Sequence, residues 1–158
     1  NIRVWTGVVE ADAADDAYWS KVIENTKKIC RMAEEKGITI STEFHVGTLT
    51  HTLGGTLKLL NEVGAENLFT YWQPPFHLPY EQRLSELKKL YATGKISNFH
   101  VHYAPEGIAP LSNGKEEWKE YFGVILNDNK TRYANIEFVF EGKEESLVKD
   151  IATIKEVI

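Results

Sequence analysis

Apolar and polar positions along this chain follow two alternating periods. Five short runs are rich in β-branched and aromatic residues: Ile2 to Gly7 (IRVWTG), Ile38 to His45 (ITISTEFH), Asn67 to Gln73 (NLFTYWQ), Ile96 to Tyr103 (ISNFHVHY) and Tyr133 to Phe140 (YANIEFVF). Runs of this length and composition read as strands. The segments between them carry apolar residues at helical spacing. Asp16 to Lys36 places Trp19, Val22, Ile23, Thr26, Ile29, Cys30 and Ala33 on one side. Helices are likewise expected from about Thr52 to Val63, from Tyr80 to Tyr91, from Lys115 to Leu126 and from Glu144 to Ile158. In the last of these Leu147, Ile151, Ile154 and Ile158 are expected to face inward. Gly37, Gly64 and Gly94 follow three of the helices, where a left-handed residue ends a helix well.

Strand and helix thus recur as five units, at intervals of roughly 30 residues, which is the pattern of right-handed crossovers in a parallel α/β sheet. An open doubly wound sheet and a barrel both fit. Eight units close a barrel of about 250 residues, so on length alone the open sheet is favoured. No linker or low-complexity stretch interrupts the chain, and residues 1–158 read as a single domain. The first residue is Asn1, and strand pattern begins at once, as in a fragment that starts inside a structural element.

Composition narrows the function classes. The chain has 42% hydrophobic and 26% charged residues, an ordinary globular mixture. No run of about 18 apolar residues is present, so a membrane span is not expected. Net charge is -5 with no basic stripe, which argues against nucleic acid as a partner. A single cysteine, Cys30, excludes an internal disulfide and fits a cytoplasmic location.

The informative residues are polar groups at the carboxyl ends of the expected strands. Glu43 and His45 end the second strand two positions apart, on one face. Gln73 ends the third. His100 and His102 end the fourth, again on one face, and Glu137 lies in the fifth. Each alone has an ordinary structural reading, as a solvated edge carboxylate or a hydrogen-bonded core histidine. In both parallel architectures, however, sites lie beyond the carboxyl ends of the strands. Glutamate and histidine are good ligands for divalent first-row metals. His51 reads as a capping or loop residue and His77 as a loop residue near the mouth of such a site. Gly54-Gly55 is no phosphate loop, because no Lys-Ser/Thr follows it.

These segments resemble a known family. ITISTEFHVGTLTHT, YWQPP, FHVHYAPEG and the stretch from PLSNGKEEWKEYFGVI to YANIEFVFEG resemble, in order, the motifs of the xylose-isomerase-like sugar isomerases and epimerases. The resemblance covers essentially the whole chain. It implies a parallel (β/α)8 TIM barrel, present here in part as about five βα units, with the first two units lacking. It implies a divalent metal ion (Mn, Mg, Co or Zn) held by Glu43, Gln73, His102 and Glu137, with His100 as the alternative histidine. Glu43 and Glu137 would exchange a proton with the substrate, and His45, Trp5, His100 and Trp72 would contact it. Phe44 and Tyr71 would join Trp5 and Trp72 as an apolar wall. Gln73 departs from the pattern, because the family usually has an aspartate there. A glutamine oxygen can still bind a hard cation but brings no charge.

The expected activity is isomerisation or epimerisation of a sugar or sugar phosphate through an enediolate. A degenerate barrel that binds a sugar or acid without turnover is the alternative, and the family's DNA-repair endonuclease branch stands behind both. Five units would leave two raw sheet edges and an apolar helix face, so poor solubility, association into a homo-oligomer or rearrangement to cover the edges is expected of residues 1–158 alone.

Overall fold

A computed structural model describes residues 1–158. Five strands, β1 (Ile2–Val4), β2 (Ile40–Glu43), β3 (Leu68–Trp72), β4 (Ile96–Val101) and β5 (Ala134–Ile136), lie in one sheet in chain order. They alternate with α1 (Asp16–Glu34), α2 (Leu53–Val63), α3 (Tyr80–Tyr91), α4 (Lys115–Ile125) and α5 (Glu144–Val157). A doubly wound sheet reverses its strand order at a switch point. Here the order follows the chain throughout, as in a barrel. The architecture is therefore a partial parallel barrel of five βα units, and the open sheet favoured by length alone is set aside.

The strands are shorter than the apolar runs that announce them. The runs continue past the ladders into the loops, because strand-forming residues there serve packing or the site. The chain packs as two compact units, Asn1–Gln73 with Gly94–Ser97, and Pro74–Thr93 with Asn98–Ile158.

In the first unit, Asp15 caps α1 by accepting from Tyr18 N–H at 2.7 Å. The helix buries Trp19, Ile23, Thr26, Cys30 and Ala33, spaced by threes and fours, while Ile29 stays partly exposed. β1, β2 and β3 pair in parallel, with Ile2 opposite Ile40 and Glu43 opposite Tyr71. The loop after β2 is tied down by buried threonines. Thr50 Oγ1 donates to the carbonyl of Glu43 (2.5 Å) and pairs with Thr6 Oγ1 (2.8 Å). Thr52 then caps α2 by accepting from Gly55 N–H at 3.1 Å. Residue 55 must be glycine for space, because a Cβ there would sit 2.1 Å from the Leu49 carbonyl oxygen.

In the second unit, α4 buries Trp118, Tyr121, Phe122 and Ile125. Phe99 of β4 meets Phe122 edge-on, with centroids 5.5 Å apart. Arg83 of α3 is buried, and each of its three guanidinium nitrogens donates a hydrogen bond. It donates to Tyr121 Oη (3.0 Å), to the Leu78 carbonyl (3.0 Å) and to Glu117 Oε2 (2.6 Å). β5 ends at Ile136, well short of the expected Phe140, and Phe138 turns into a left-handed conformation, φ +55°. α5 buries Ile154 and Val157. The inward placement expected of the other residues is corrected: Leu147 and Ile151 are partly exposed and Ile158 largely so. The buried stripe runs through Asp150, Thr153, Ile154 and Val157 instead. No helix is long and apolar enough to cross a membrane.

Candidate functional site

Each sheet strand delivers a polar or aromatic group at, or just beyond, its carboxyl end. Trp5 follows β1, Glu43 ends β2, Gln73 follows β3, His102 follows β4 and Glu137 follows β5. Glu43, Gln73 and His102 stand at strand ends as expected, whereas Trp5 and Glu137, expected within strands, lie one residue beyond β1 and β5.

In the first unit the centre is Glu43, whose side chain is 1% exposed. Its Oε2 accepts from Trp5 Nε1 at 2.7 Å and from the Arg3 guanidinium in a close ion pair. Parallel pairing explains the convergence. Arg3 lies opposite Ser41, so Arg3, Trp5 and Glu43 share one face. Two donors on one oxygen fix the carboxylate plane and compensate its burial. Trp5 stacks on His45, with centroids 4.9 Å apart and planes 28° from parallel. Trp5 is 57% exposed, so it is a surface platform held by its N–H and not a packed core residue.

Gln73 lies two positions beyond Tyr71, on the face Tyr71 shares with Glu43 by register. Trp72 takes the opposite face of β3 together with Leu68 and Thr70, and is fully buried in the core. Phe44 is likewise buried and alternates away from Glu43 and His45. The substrate contact expected of Trp72, and the wall role of Phe44, are therefore corrected by strand alternation. His51 sits one residue before the cap Thr52, and its Nδ1 accepts from Ala11 N–H at 3.3 Å. Glu10, Asp12 and His51 bring ligand atoms within 4.8 Å of one another, but Asp12 is exposed.

In the second unit, β4 and β5 pair with His100 opposite Asn135 and Val101 opposite Ile136, which carries His102 level with Glu137. His100 Nδ1 lies 3.1 Å from Glu137 Oε2, off the line of a hydrogen bond. His102 is 8% exposed and its Nδ1 is buried without a hydrogen-bond partner. Trp118 Nε1 donates to the His102 carbonyl at 3.0 Å and anchors its backbone. Phe76 and Phe138 meet the imidazole with centroids 5.4 and 5.3 Å away. Burial, helped by the nearby His100, pushes the His102 imidazole down to about 4, so its ring is neutral at pH 7. His77 is exposed in the loop before α3. Arg3, Phe76, Arg83 and Phe138 are the residues that sequence reasoning missed. Arg3 carried a signal, since a strand arginine two positions before Trp5 shares its face.

A family model described as xylose isomerase-like TIM barrel matches residues 1–157. No curated protein matches the chain. Among solved structures, the probable 3-DHS dehydratase AsbF of Bacillus anthracis, involved in petrobactin synthesis, is similar with a TM-score of 0.77 and 21% identity. The match covers 98% of this chain and 61% of that one. A xylose isomerase-like TIM barrel protein from Mycobacterium smegmatis, solved with magnesium, is similar with a TM-score of 0.59 and 14% identity, over 91% of this chain and 50% of that one. At these identities the likeness concerns the fold, and this chain spans roughly half to three-fifths of those two chains.

Proposed function

The chain belongs to the xylose isomerase-like TIM-barrel family, and from that premise we propose that it carries the site of a metal-dependent sugar or sugar-phosphate isomerase or epimerase. Glu43, Gln73, His102 and Glu137 would hold one divalent ion. The observation that carries the reading is in the second unit: a buried, neutral His102 with an uncommitted Nδ1, level with a glutamate that His100 approaches at 3.1 Å. A neutral imidazole lone pair and carboxylate oxygens are the donor set that divalent first-row metals take. His100, 3.1 Å from Glu137, stays the alternative histidine for the same ion.

The ion would supply Lewis-acid polarisation of a carbonyl and its neighbouring hydroxyl. The chain's own groups do the rest. Glu43 or Glu137 takes the proton from the carbon beside the carbonyl, and the other returns it. Arg3 and Trp5 hold Glu43 by one oxygen and so fix its reach. Trp5, stacked on His45, offers an open aromatic face to a sugar ring. A small-molecule substrate and a cytoplasmic location belong to the same proposal.

Gln73 favours a second reading, a barrel that binds the sugar or acid without turnover, because the site has one carboxylate fewer. The test is metal content of protein purified without chelator, followed by exchange of substrate hydrogens with D2O over a panel of aldoses, ketoses and their phosphates. Stoichiometric metal and exchange in the wild type, both reduced at least tenfold in Glu137→Gln, are expected. Metal without exchange selects the binder. Equal and negligible metal in both proteins removes the proposed site.

A further inference from the structure

Phe138 stands at φ +55°, a region that aromatic residues rarely occupy because Cβ crowds the following carbonyl. Had β5 continued in extended form, residue 138 would point to the face opposite Glu137. The left-handed turn re-aims it, and its ring meets the His102 imidazole at 5.3 Å and 86°. Phe76 meets the same imidazole at 5.4 Å and 62°. Phe76 is itself braced, because the Arg83 guanidinium lies 4.9 Å from its centroid and Arg83 is locked by Tyr121, Glu117 and the Leu78 carbonyl. Backbone strain of this kind persists only where surrounding structure holds it, and it concentrates at functional sites. Here it stands one residue from Glu137, and the group it touches has a buried, uncommitted nitrogen.

We propose that Phe138 is a positioning residue: its re-aimed ring, with Phe76, holds the His102 imidazole in one orientation and makes Nδ1 the atom presented to the site. What Nδ1 presents itself to rests on the proposed function. The clamp does not. A ring held with Nδ1 as the free lone pair must carry its proton on Nε2, so a single tautomer is the signature expected of the clamp.

Two variants separate positioning from packing. Phe138→Gly deletes the ring and accepts the left-handed backbone without strain, so the fold survives. Phe138→Leu keeps apolar bulk. Ring nitrogen chemical shifts of labelled histidine report the tautomer in protein without added metal, and calorimetry with manganese reports affinity on separate samples. One tautomer is expected for His102 in the wild type and two in Phe138→Gly, with Phe138→Leu close to wild type. Manganese affinity is expected to fall about tenfold in Phe138→Gly, the size typical for losing a partner that orients a ligand, while the unfolding midpoint stays level or rises. A single Nδ1-unprotonated tautomer in Phe138→Gly overturns the proposal. If the wild type itself binds no manganese, the metal reading falls, and the ring spectra still decide the clamp.

Discussion

The carboxyl ends of β2 and β5 each carry a glutamate, and different physics holds the chemistry at each. At β2 the carboxylate is fixed directly, by two charged or polar donors on one oxygen. The loop that follows is pinned by threonine hydroxyls. At the β4 and β5 ends the imidazole of His102 is fixed indirectly, by ring edges. One of those rings depends on an unfavourable backbone angle and the other on a buried arginine. Direct donors fix the carboxylate in place. Aromatic edges set position while leaving a nitrogen free of partners, which suits a group whose partner comes from outside the protein. The first end is therefore robust to loss of a distant residue, and the second is not.

The largest effect should come from Arg83, the distant brace. Arg83→Met leaves Glu117 and the Tyr121 hydroxyl without their main partner in a buried place, and breaking such a pair costs about 3–5 kcal/mol. Chemical unfolding of the second unit, followed by a probe in α4, should show a loss of that order. A loss below about 1 kcal/mol would mean that the guanidinium network is ornamental. Because Phe76 loses its platform, His102 ring signals should shift too, although Arg83 touches no part of His102.

A smaller effect is expected at the other end. Arg3→Met removes the charged donor from Glu43 but leaves Trp5 Nε1 in place. A hydrogen bond to a charged group is worth about 1.5–3 kcal/mol, and Arg3, being over a third exposed, should lie near the bottom of that range. Trp5 is the exposed tryptophan, whereas Trp19, Trp72 and Trp118 are buried. Iodide quenching therefore reads Trp5, and it should increase in the variant as the indole loosens. Unchanged quenching together with unchanged stability would sink the idea that Arg3 fixes this end.

The helices and the order of units were legible in the sequence because burial at a period near 3.6 leaves a long, redundant signal, as in Trp19, Ile23, Thr26, Cys30 and Ala33. Strand limits were not. In YANIEFVF the β-branched and aromatic residues run on to Phe140, yet the ladder ends at Ile136 because Phe138 is spent on His102. Half of the candidate site was legible too. Glu-x-His and His-x-His show their shared faces by alternation alone, and the same rule, applied to Trp72 against Tyr71, would have removed Trp72 from the substrate contacts. The remainder is tertiary. Nothing local in QPPFHLPYEQR says that Arg83 will lie over Phe76, and nothing near Phe138 says that a phenylalanine will accept a glycine's angle.

The smallest effect concerns how loops are anchored, and it carries a pH signature. The β2 loop hangs on Thr6, Thr48 and Thr50, which do not titrate in the working range. The loop after β4 hangs on a carboxylate: Asp150 of α5 is buried and accepts from Leu111 N–H at 3.2 Å. Burial raises its pKa above the ordinary 3.8, and the Leu111 hydrogen bond opposes that only in part. Between 3.8 and the raised value, the folded protein binds more protons than the unfolded chain. Stability therefore falls as pH rises through that window, and at neutral pH the ionised Asp150 stands as a net cost. Asp150→Asn keeps an oxygen for Leu111 and removes the charge. The variant should be modestly more stable than wild type at pH 7, and the gap should close as pH falls below 3.8, where both side chains are neutral. Thermal unfolding at several pH values measures this. A variant less stable than wild type at pH 7, or a gap that does not change with pH, would show that the Asp150 charge is compensated in the fold and that both loops are anchored alike.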